Sequence, residues 1–313
     1  MTTLTTIDRA SSAPTGALGR VGGTPLIRLQ RLTAGLPPAV EVFAKAEWMN
    51  PSGSVKDRPA AWILHRAIED GRLSDGRILL DSTSGNMGIA YATFAAGIGV
   101  RVHLAIPANA SPERIAILRA LGADLTLTDP TEGSDGARTV AAKMASEDPA
   151  RFFYADQYGH PANWQAHFHT TGPEIADQTE RRITHFVAGL GTTGTITGAG
   201  RYLRQTVPGV RIVGVQPATP LHGLEGLKHL ATSTVPPIFD PAVVDEMIEV
   251  ETEQAYDMAR RIAREEGLLV GVSAAAAAVA SLELAGRLER AVVVAVFPDS
   301  GLKYLGQDFW SRG

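Results

Sequence analysis

The stretch Asn50-Pro51-Ser52-Gly53-Ser54-Val55-Lys56-Asp57-Arg58-Pro59 delivers one lysine to the start of a helix. The pattern of residues 40–47 predicts a strand before it, and residues 60–68 carry apolar side chains at helical spacing after it. Pro59 suits a first helical turn, because its missing N–H would have no intrahelical partner there. An α/β sheet presents chemistry where strands end, so Lys56 is a candidate nucleophile, and a solvated surface lysine is the alternative.

Outward from this stretch, short β-rich runs alternate with helical patterns, which is typical of βαβ units on a mostly parallel sheet. A chain of 313 residues exceeds what one core usually supports. We therefore predict an α/β protein of two domains, each with a mostly parallel, helix-covered sheet. Residues 217–244 are irregular and rich in Gly, Pro and His, which we interpret as a binding surface rather than a linker.

The composition excludes several classes of function. Apolar residues make up 44% of the chain and charged residues 20%, as in an ordinary globular protein. A net charge of -4 without a basic run argues against nucleic-acid binding. No apolar run is long enough to span a membrane, and the absence of cysteine rules out disulfides and thiolate sites. We expect no metal site, because the spacing of His160, His167 and His169 does not place a ligand pair on one helical face.

A second loop, Asp81-Ser82-Thr83-Ser84-Gly85-Asn86-Met87-Gly88, joins a predicted strand to a predicted helix through hydroxyls, glycines and an amide. N–H groups at a helix start, with hydroxyls beside them, can bind a carboxylate or a phosphate. A plain serine-capped helix is the alternative.

A third loop, Gly189-Leu190-Gly191-Thr192-Thr193-Gly194-Thr195, fits the pattern G-x-G-x-x-G. A dinucleotide site also needs an acidic residue after the next strand, where this chain has Gln216-Pro217. The remaining interpretation is a cup for one phosphate monoester. Together with the lysine and the carboxylate-type loop, it indicates a lysine-bound cofactor with a single phosphate, which is pyridoxal phosphate.

These motifs resemble the fold-type II pyridoxal-phosphate enzymes, which have the tryptophan-synthase-β-like fold, and within them the B-type cysteine synthases (O-acetylserine sulfhydrylases). The similarity runs from Gly22-Gly23-Thr24-Pro25-Leu26 to Pro298-Asp299-Ser300-Gly301-Leu302-Lys303-Tyr304. The motifs N-P-S-G-S-V-K-D-R, T-S-G-N-x-G, G-L-G-T-T-G-T and E-E-G-L-L-V-G-V-S occur in the family's order.

The resemblance implies roles for individual residues. Lys56 matches the lysine that forms the Schiff base and removes the substrate α-proton. Ser273 matches the hydroxyl beside the pyridine nitrogen, where a helix N-cap is the alternative. The substrate carboxylate would be held by Thr83, Ser84, Gly85, Asn86, Met87 and Gln157, with Asn86 also reaching the cofactor. The phosphate cup would be Gly191, Thr192, Thr193, Gly194 and Thr195.

Some residues depart from the family pattern. Met87 stands where the family usually has threonine, and Ala274 and Ala275 stand where it usually has a hydroxyl residue and glycine. The section 217–230 has no arginine for a phosphorylated donor, and its cations are His222 and Lys228.

The resemblance implies a transferase of amino-acid biosynthesis that replaces the leaving group of O-acetyl-L-serine or a similar activated serine, through an aminoacrylate, with sulfide. Three alternatives stay open: another nucleophile, an O-phosphoserine donor, and a non-catalytic binding protein that keeps the cofactor pocket. We expect a homodimer in the cytoplasm, with an amino acid as substrate and neither nucleic acid nor membrane as partner. The smaller domain, with a mobile substrate-binding subdomain, would span residues 46–155, and the larger one residues 15–45 and 156–313.

Overall fold

The computed structural model describes residues 16–83 and 85–311. Its strands are β1 (Leu26–Arg28), β2 (Val40–Ala46), β3 (Ile78–Ser82), β4 (Val102–Pro107), β5 (Asp124–Thr128), β6 (Phe152–Tyr154), β7 (His185–Gly189), β8 (Arg211–Pro217), β9 (Glu246–Val250) and β10 (Ala291–Phe297).

The α-helices alternate with these strands. They are α1 (Asp57–Glu69), α2 (Asn86–Ile98), α3 (Pro112–Ala120), α4 (Gly133–Glu147), α5 (Ala162–Ala166), α6 (Gly172–Gln178), α7 (Gly194–Thr206), α8 (Thr252–Arg261) and α9 (Val272–Ala285). A π-helical turn, His167–Thr171, joins α5 to α6, and a second, Ile262–Glu266, follows α8. No described helix has both the length and the apolar character needed to cross a membrane.

The larger sheet has six strands in the order β1-β2-β10-β7-β8-β9. Only β1 runs antiparallel to its neighbour, and the other pairs are parallel. α9 and α8 pack on one face, where α9 presents a run of buried alanines that lets it lie close to the strands. α6 and α7 cover the other face. A parallel sheet needs this double cover, and its interior strands β10, β7 and β8 are accordingly apolar on both faces.

The smaller sheet has four parallel strands in the order β5-β4-β3-β6. One face packs against α1, α2 and α3, and the other against α4. The predicted α/β class with two mostly parallel sheets is confirmed. All four strands fall within residues 46–155, and the domain boundaries themselves stay a prediction.

One strand was not predicted. β9 follows directly after the irregular section 217–244 and forms the edge of the larger sheet. Its Glu246 and Glu249 are not buried, whereas Ile248 and Val250 are. An edge strand with acidic residues has a weak apolar pattern, because one side of it meets solvent.

Candidate active site

Lys56 is the residue immediately before α1, at the carboxyl-end side of the larger sheet. Its loop is held to the segment after β10, because the N–H of Val55 donates to the carbonyl oxygen of Pro298 at 2.8 Å. Burial lowers the pKa of Lys56, the carboxylate of Asp299 opposes this shift, and the ammonium of Lys303 adds to it. A lysine that gives up its proton more readily is suited to act as a nucleophile or a base.

The loop after β3 is organised by a threonine. Thr83 is buried, and its Oγ1 accepts the N–H of Gly85 at 3.0 Å and of Gly88 at 3.1 Å. A hydroxyl that accepts these bonds keeps its own proton to donate to a carboxylate. Asn86 begins α2, whose first N–H groups favour an anion. Ser84, also predicted for this site, lies outside the described residues.

One side chain from another helix limits the space around this loop, and one side chain of α2 supports it. A Cβ at Gly85 would lie 2.7 Å from Cδ of Arg114, which reaches the loop from α3. Met87 is 2% exposed and packs in the apolar core of the smaller sheet. The predicted role of Met87 toward the substrate therefore stays a prediction, and its side chain contributes to the support of the loop.

Gln157 follows β6, the strand next to β3, and is buried. Its Nε2 donates to the backbone carbonyl oxygen of Ser82 at 2.5 Å. The backbone carbonyl oxygen of Gln157 accepts a hydrogen bond from Nδ2 of Asn163 at 2.6 Å. The structure thus brings Gln157 to the base of the Thr83–Asn86 loop, across 75 residues of sequence.

The loop between β7 and α7 forms a narrow cup. Thr193 has a φ of +66°, a conformation that a residue with a Cβ rarely adopts, directly before α7. A Cβ at Gly191 would lie 2.2 Å from the carbonyl oxygen of Gly226, and one at Gly194 only 1.9 Å from Oδ1 of Asn163. Only glycine fits at Gly191, where the obstacle is backbone, and a larger residue at Gly194 would displace the side chain of Asn163. The helix start directs its N–H groups into the cup.

The cup has further polar groups at its rim. Thr195 Oγ1 lies 3.3 Å from Nε2 of the buried His167, whose Nδ1 lies 2.8 Å from Oγ1 of Thr171. Oδ1 of Asn163 is buried and has no hydrogen-bond partner among the described residues. Thr192 is also nearly buried. The shape, the helix start and the hydroxyl groups fit a single phosphate group.

Ser273 is the second residue of α9 and is 5% exposed. The N-cap of this helix is Gly271, and no side chain caps it. The N-cap interpretation of Ser273 is therefore wrong. A Cβ at Gly271 would lie 2.0 Å from Oδ1 of Asp299, so the start of α9 approaches the same carboxylate as the Lys56 loop does.

The segment after β10 supplies residues that the motif analysis quoted without assigning a role. Asn86 Nδ2 donates to Oδ2 of the fully buried Asp299 at 2.7 Å, and the hydroxyl of Tyr304 donates to the same oxygen at 2.8 Å. Lys303 Nζ donates to Oδ1 of Asn86 at 2.7 Å. The motif Pro298–Tyr304 contains Asp299, Lys303 and Tyr304. Their contacts with Asn86 follow only from the position of β10 beside β2, which the sequence does not show.

Two ion pairs connect the section 217–230 to helices of the smaller sheet. Arg114 on α3 pairs with Glu225, and Lys228 Nζ pairs with Oδ1 of Asp135 on α4 at 2.8 Å. Lys228 also lies over the ring of Tyr158. Lys228, one of the two cations of section 217–230, is therefore already neutralised by Asp135. Arg114, which sequence analysis did not assign to the site, approaches the Thr83–Asn86 loop.

Comparison with known proteins agrees with this geometry. A family model described as pyridoxal-phosphate dependent enzyme matches residues 17–299. Cysteine synthase from Aquifex aeolicus is 50% identical over 290 residues, which cover 91% of this chain and 89% of that protein.

Solved structures show the same fold. Cysteine synthase from Entamoeba histolytica superimposes with a TM-score of 0.90 at 33% identity, covering 100% of this chain and 95% of that one. O-ureido-L-serine synthase superimposes with a TM-score of 0.88 at 37% identity, covering 94% of each chain.

The chain belongs to the family of pyridoxal-phosphate dependent enzymes. Within that family it is similar to cysteine synthases and to O-ureido-L-serine synthase. The predicted family, fold type and cofactor are thereby confirmed, and the roles of individual residues stay predictions. Among the described residues, no group of three or more His, Asp or Glu is placed to hold a metal ion.

Proposed function

We propose that this enzyme replaces the acetate of O-acetyl-L-serine with sulfide to give L-cysteine. Asp299 is the observation that carries the proposal. It accepts a hydrogen bond from Asn86 of the carboxylate loop, its charge acts on Lys56, and its Oδ1 lies next to Gly271 at the start of the Ser273 helix. One buried carboxylate thus brings a candidate nucleophile, a substrate loop and a candidate ring partner to one place.

Each element would have a separate task. The cofactor, when bound, supplies an electron sink that stabilises negative charge at the substrate Cα. The Gly191–Thr195 cup would hold its phosphate and Lys56 its aldehyde carbon. Lys56 would also remove the proton from the substrate Cα, for which its lowered pKa is suited.

The substrate carboxylate would be held by the Thr83–Asn86 loop and Gln157. The proton of the Thr83 hydroxyl and the first N–H groups of α2 can donate to it. Ser273 would present a neutral hydroxyl to the pyridine nitrogen and leave the ring uncharged, which favours β-elimination over transamination. Burial of these groups excludes water, which strengthens their hydrogen bonds.

A different nucleophile is a second candidate. The neighbour O-ureido-L-serine synthase carries in its name a product other than cysteine, at 37% identity and nearly the same fold. O-phosphoserine is the alternative donor: Arg114 reaches the Thr83–Asn86 loop, although its guanidinium pairs with Glu225.

A matrix of donors and nucleophiles, with products identified by mass spectrometry, tests the proposal. The donors are O-acetylserine, O-phosphoserine and serine, and the nucleophiles are sulfide, homocysteine and hydroxyurea. We expect cysteine from O-acetylserine and sulfide as the fastest product. A faster product with another nucleophile would support the second candidate, and no replacement product with any pair would contradict both.

We also propose, from the resemblance to the family, that the enzyme is a homodimer in the cytoplasm and that the smaller domain closes on the substrate. Light scattering after size-exclusion chromatography measures the oligomeric state. Hydrogen exchange of residues 86–121 with and without a bound amino acid measures the closure. Unchanged exchange in this segment would contradict closure.

A further inference from the structure

Asp81 is a carboxyl group that the proposed mechanism does not use. It lies on β3, the central strand next to β6, and is 0% exposed. No described lysine, arginine or histidine pairs with it. A buried carboxyl group without a cation is costly unless hydrogen bonds compensate.

Its hydrogen bonds join the two loops of the carboxylate site. Oδ1 accepts the N–H of Ser82 at 2.8 Å, and Oδ2 accepts the N–H of Gln157 at 3.2 Å. The side-chain Nε2 of Gln157 also donates a hydrogen bond to the backbone carbonyl oxygen of Ser82. The residues that follow Ser82 form the Thr83–Asn86 loop, so Asp81 lies directly behind both parts of the site.

We propose that Asp81 is a positioning residue that ties the Thr83–Asn86 loop to Gln157, so that the affinity for the substrate carboxylate depends on the ionisation of Asp81. The inference rests on the proposed function, in which these two loops bind the amino-acid carboxylate. Asp81 itself does not touch the substrate.

The surroundings of Asp81 place its titration in the working range of an enzyme. Burial raises its pKa to about 8, the N–H of Ser82 opposes this shift, and the carboxylate of Asp156 adds to it. The other titratable groups that face it are the hydroxyls of Tyr91, Tyr154 and Tyr158. Arg138, the cation of this region, pairs with Asp156.

Ionisation of Asp81 changes the strength of its hydrogen bonds with the N–H groups of Ser82 and Gln157. A carboxylate accepts stronger hydrogen bonds from N–H groups than a neutral carboxyl group does. As the pH rises through about 8, Gln157 and Ser82 are therefore held more firmly. The substrate site becomes better ordered, while the chemical step at Cα is unaffected.

The test compares the holoenzymes of the wild type and Asp81→Asn between pH 6.5 and 9.5. An asparagine cannot accept both N–H groups with charge, so the ratio of the KM values for O-acetylserine (variant over wild type) should rise from about 2 at low pH to about 10 at high pH. The kcat values should stay within about twofold. Asp124→Asn, an exposed aspartate on β5 of the same sheet, is the matched control and should leave KM unchanged at every pH.

A second variant covers the case in which Asp81→Asn does not fold. The carboxylate of Asp156 raises the pKa of Asp81 through its charge, and it also pairs with Arg138. Asp156→Asn removes that charge and should move the midpoint of the KM–pH curve to lower pH. An unmoved midpoint, a KM ratio for Asp81→Asn that is constant with pH, or a loss confined to kcat would overturn the proposal.

Binding of L-alanine separates this inference from the proposed function. Alanine has the carboxylate but no leaving group, so its dissociation constant can be read from the cofactor spectrum without any replacement reaction. The same pH-dependent ratio for alanine in an enzyme that makes no cysteine would contradict the proposed function alone. Normal cysteine synthesis with a pH-independent ratio would contradict the role of Asp81 alone.

Discussion

Nδ2 of Asn86 donates a 2.7 Å hydrogen bond to Oδ2 of Asp299, across 213 residues of sequence. The bond connects the helix start of the smaller sheet to the segment after the central strand of the larger one. The amide of Asn86 is oriented by this bond and by Lys303 on its other atom. This relationship fixes one wall of the candidate site.

Asp299→Ala should raise the KM for O-acetylserine about tenfold or more, because a hydrogen bond to a charged acceptor contributes about 1.5–3 kcal/mol. Asp299→Asn is the matched control. Its amide oxygen can still accept from Asn86 and Tyr304, so its KM should rise less. Steady-state kinetics of both variants measure the effect, and equal values in all three proteins would contradict the role of the bond.

Ser273→Asp should change the reaction type. A carboxylate beside the pyridine nitrogen favours the protonated ring by direct charge pairing. Elimination of acetate should slow, and keto-acid products of transamination should appear in the product analysis. Ser273→Ala should be milder, with a cost of about 1 kcal/mol for one hydrogen bond.

The stability of Ser273→Ala provides a separate check. Because Gly271 and not Ser273 caps α9, this variant should not show the loss of about 1 kcal/mol in the free energy of unfolding that removal of an N-cap side chain causes. Unchanged elimination in Ser273→Asp would exclude Ser273 as the ring partner.

Arg58, two residues after Lys56, should be essential for stability. It pairs with Glu47 and Glu174, whereas the neighbouring Asp57 accepts a hydrogen bond from the N–H of Ser52. Arg58→Met leaves the fully buried Glu47 without this cation and should cost about 3–5 kcal/mol in urea unfolding.

An exposed arginine supplies the control for this variant. Arg287 pairs with Glu283 and Glu246 on the surface, so Arg287→Met should cost at most about 1 kcal/mol. Similar losses of unfolding free energy in Arg58→Met and Arg287→Met would mean that the buried ion pairs of Arg58 contribute no more to stability than the exposed pairs of Arg287.

His167 should make the protein less stable in acid. Burial, with the charge of Arg58, lowers its pKa to about 3. The unfolded chain takes up a proton below about pH 6.5, whereas the folded chain does not, so stability is lost as the pH falls from 6.5 toward 3. Between pH 7 and 5 this amounts to about 2 kcal/mol, which His167→Asn should remove from the pH dependence of urea unfolding. The same slope in both proteins would contradict a neutral buried His167.

The fold and the main loops were predictable because their signals are local. The Ser111-Pro112 helix start is an example, since Ser111 Oγ accepts the N–H of Arg114 as expected for a cap. The Lys56, Thr83 and Gly191 loops likewise carry breakers and glycines at fixed spacing.

Other parts depend on strand order, which a local pattern does not contain. Asp299 meets Lys56 only because β10 inserts beside β2, and Gln157 meets Asp81 only because β6 lies beside β3. Ser273 was assigned an alternative role as a cap, because a pattern one or two residues long cannot distinguish the N-cap from the second helical residue.

Borohydride reduction followed by peptide mass spectrometry tests whether Lys56 holds the cofactor. The wild-type peptide that contains Lys56 should carry the mass of the reduced cofactor. Lys56→Ala should remain folded by circular dichroism and carry no covalent cofactor. Attachment of the cofactor to Lys45, Lys228 or Lys303 in either protein would contradict the assignment of Lys56.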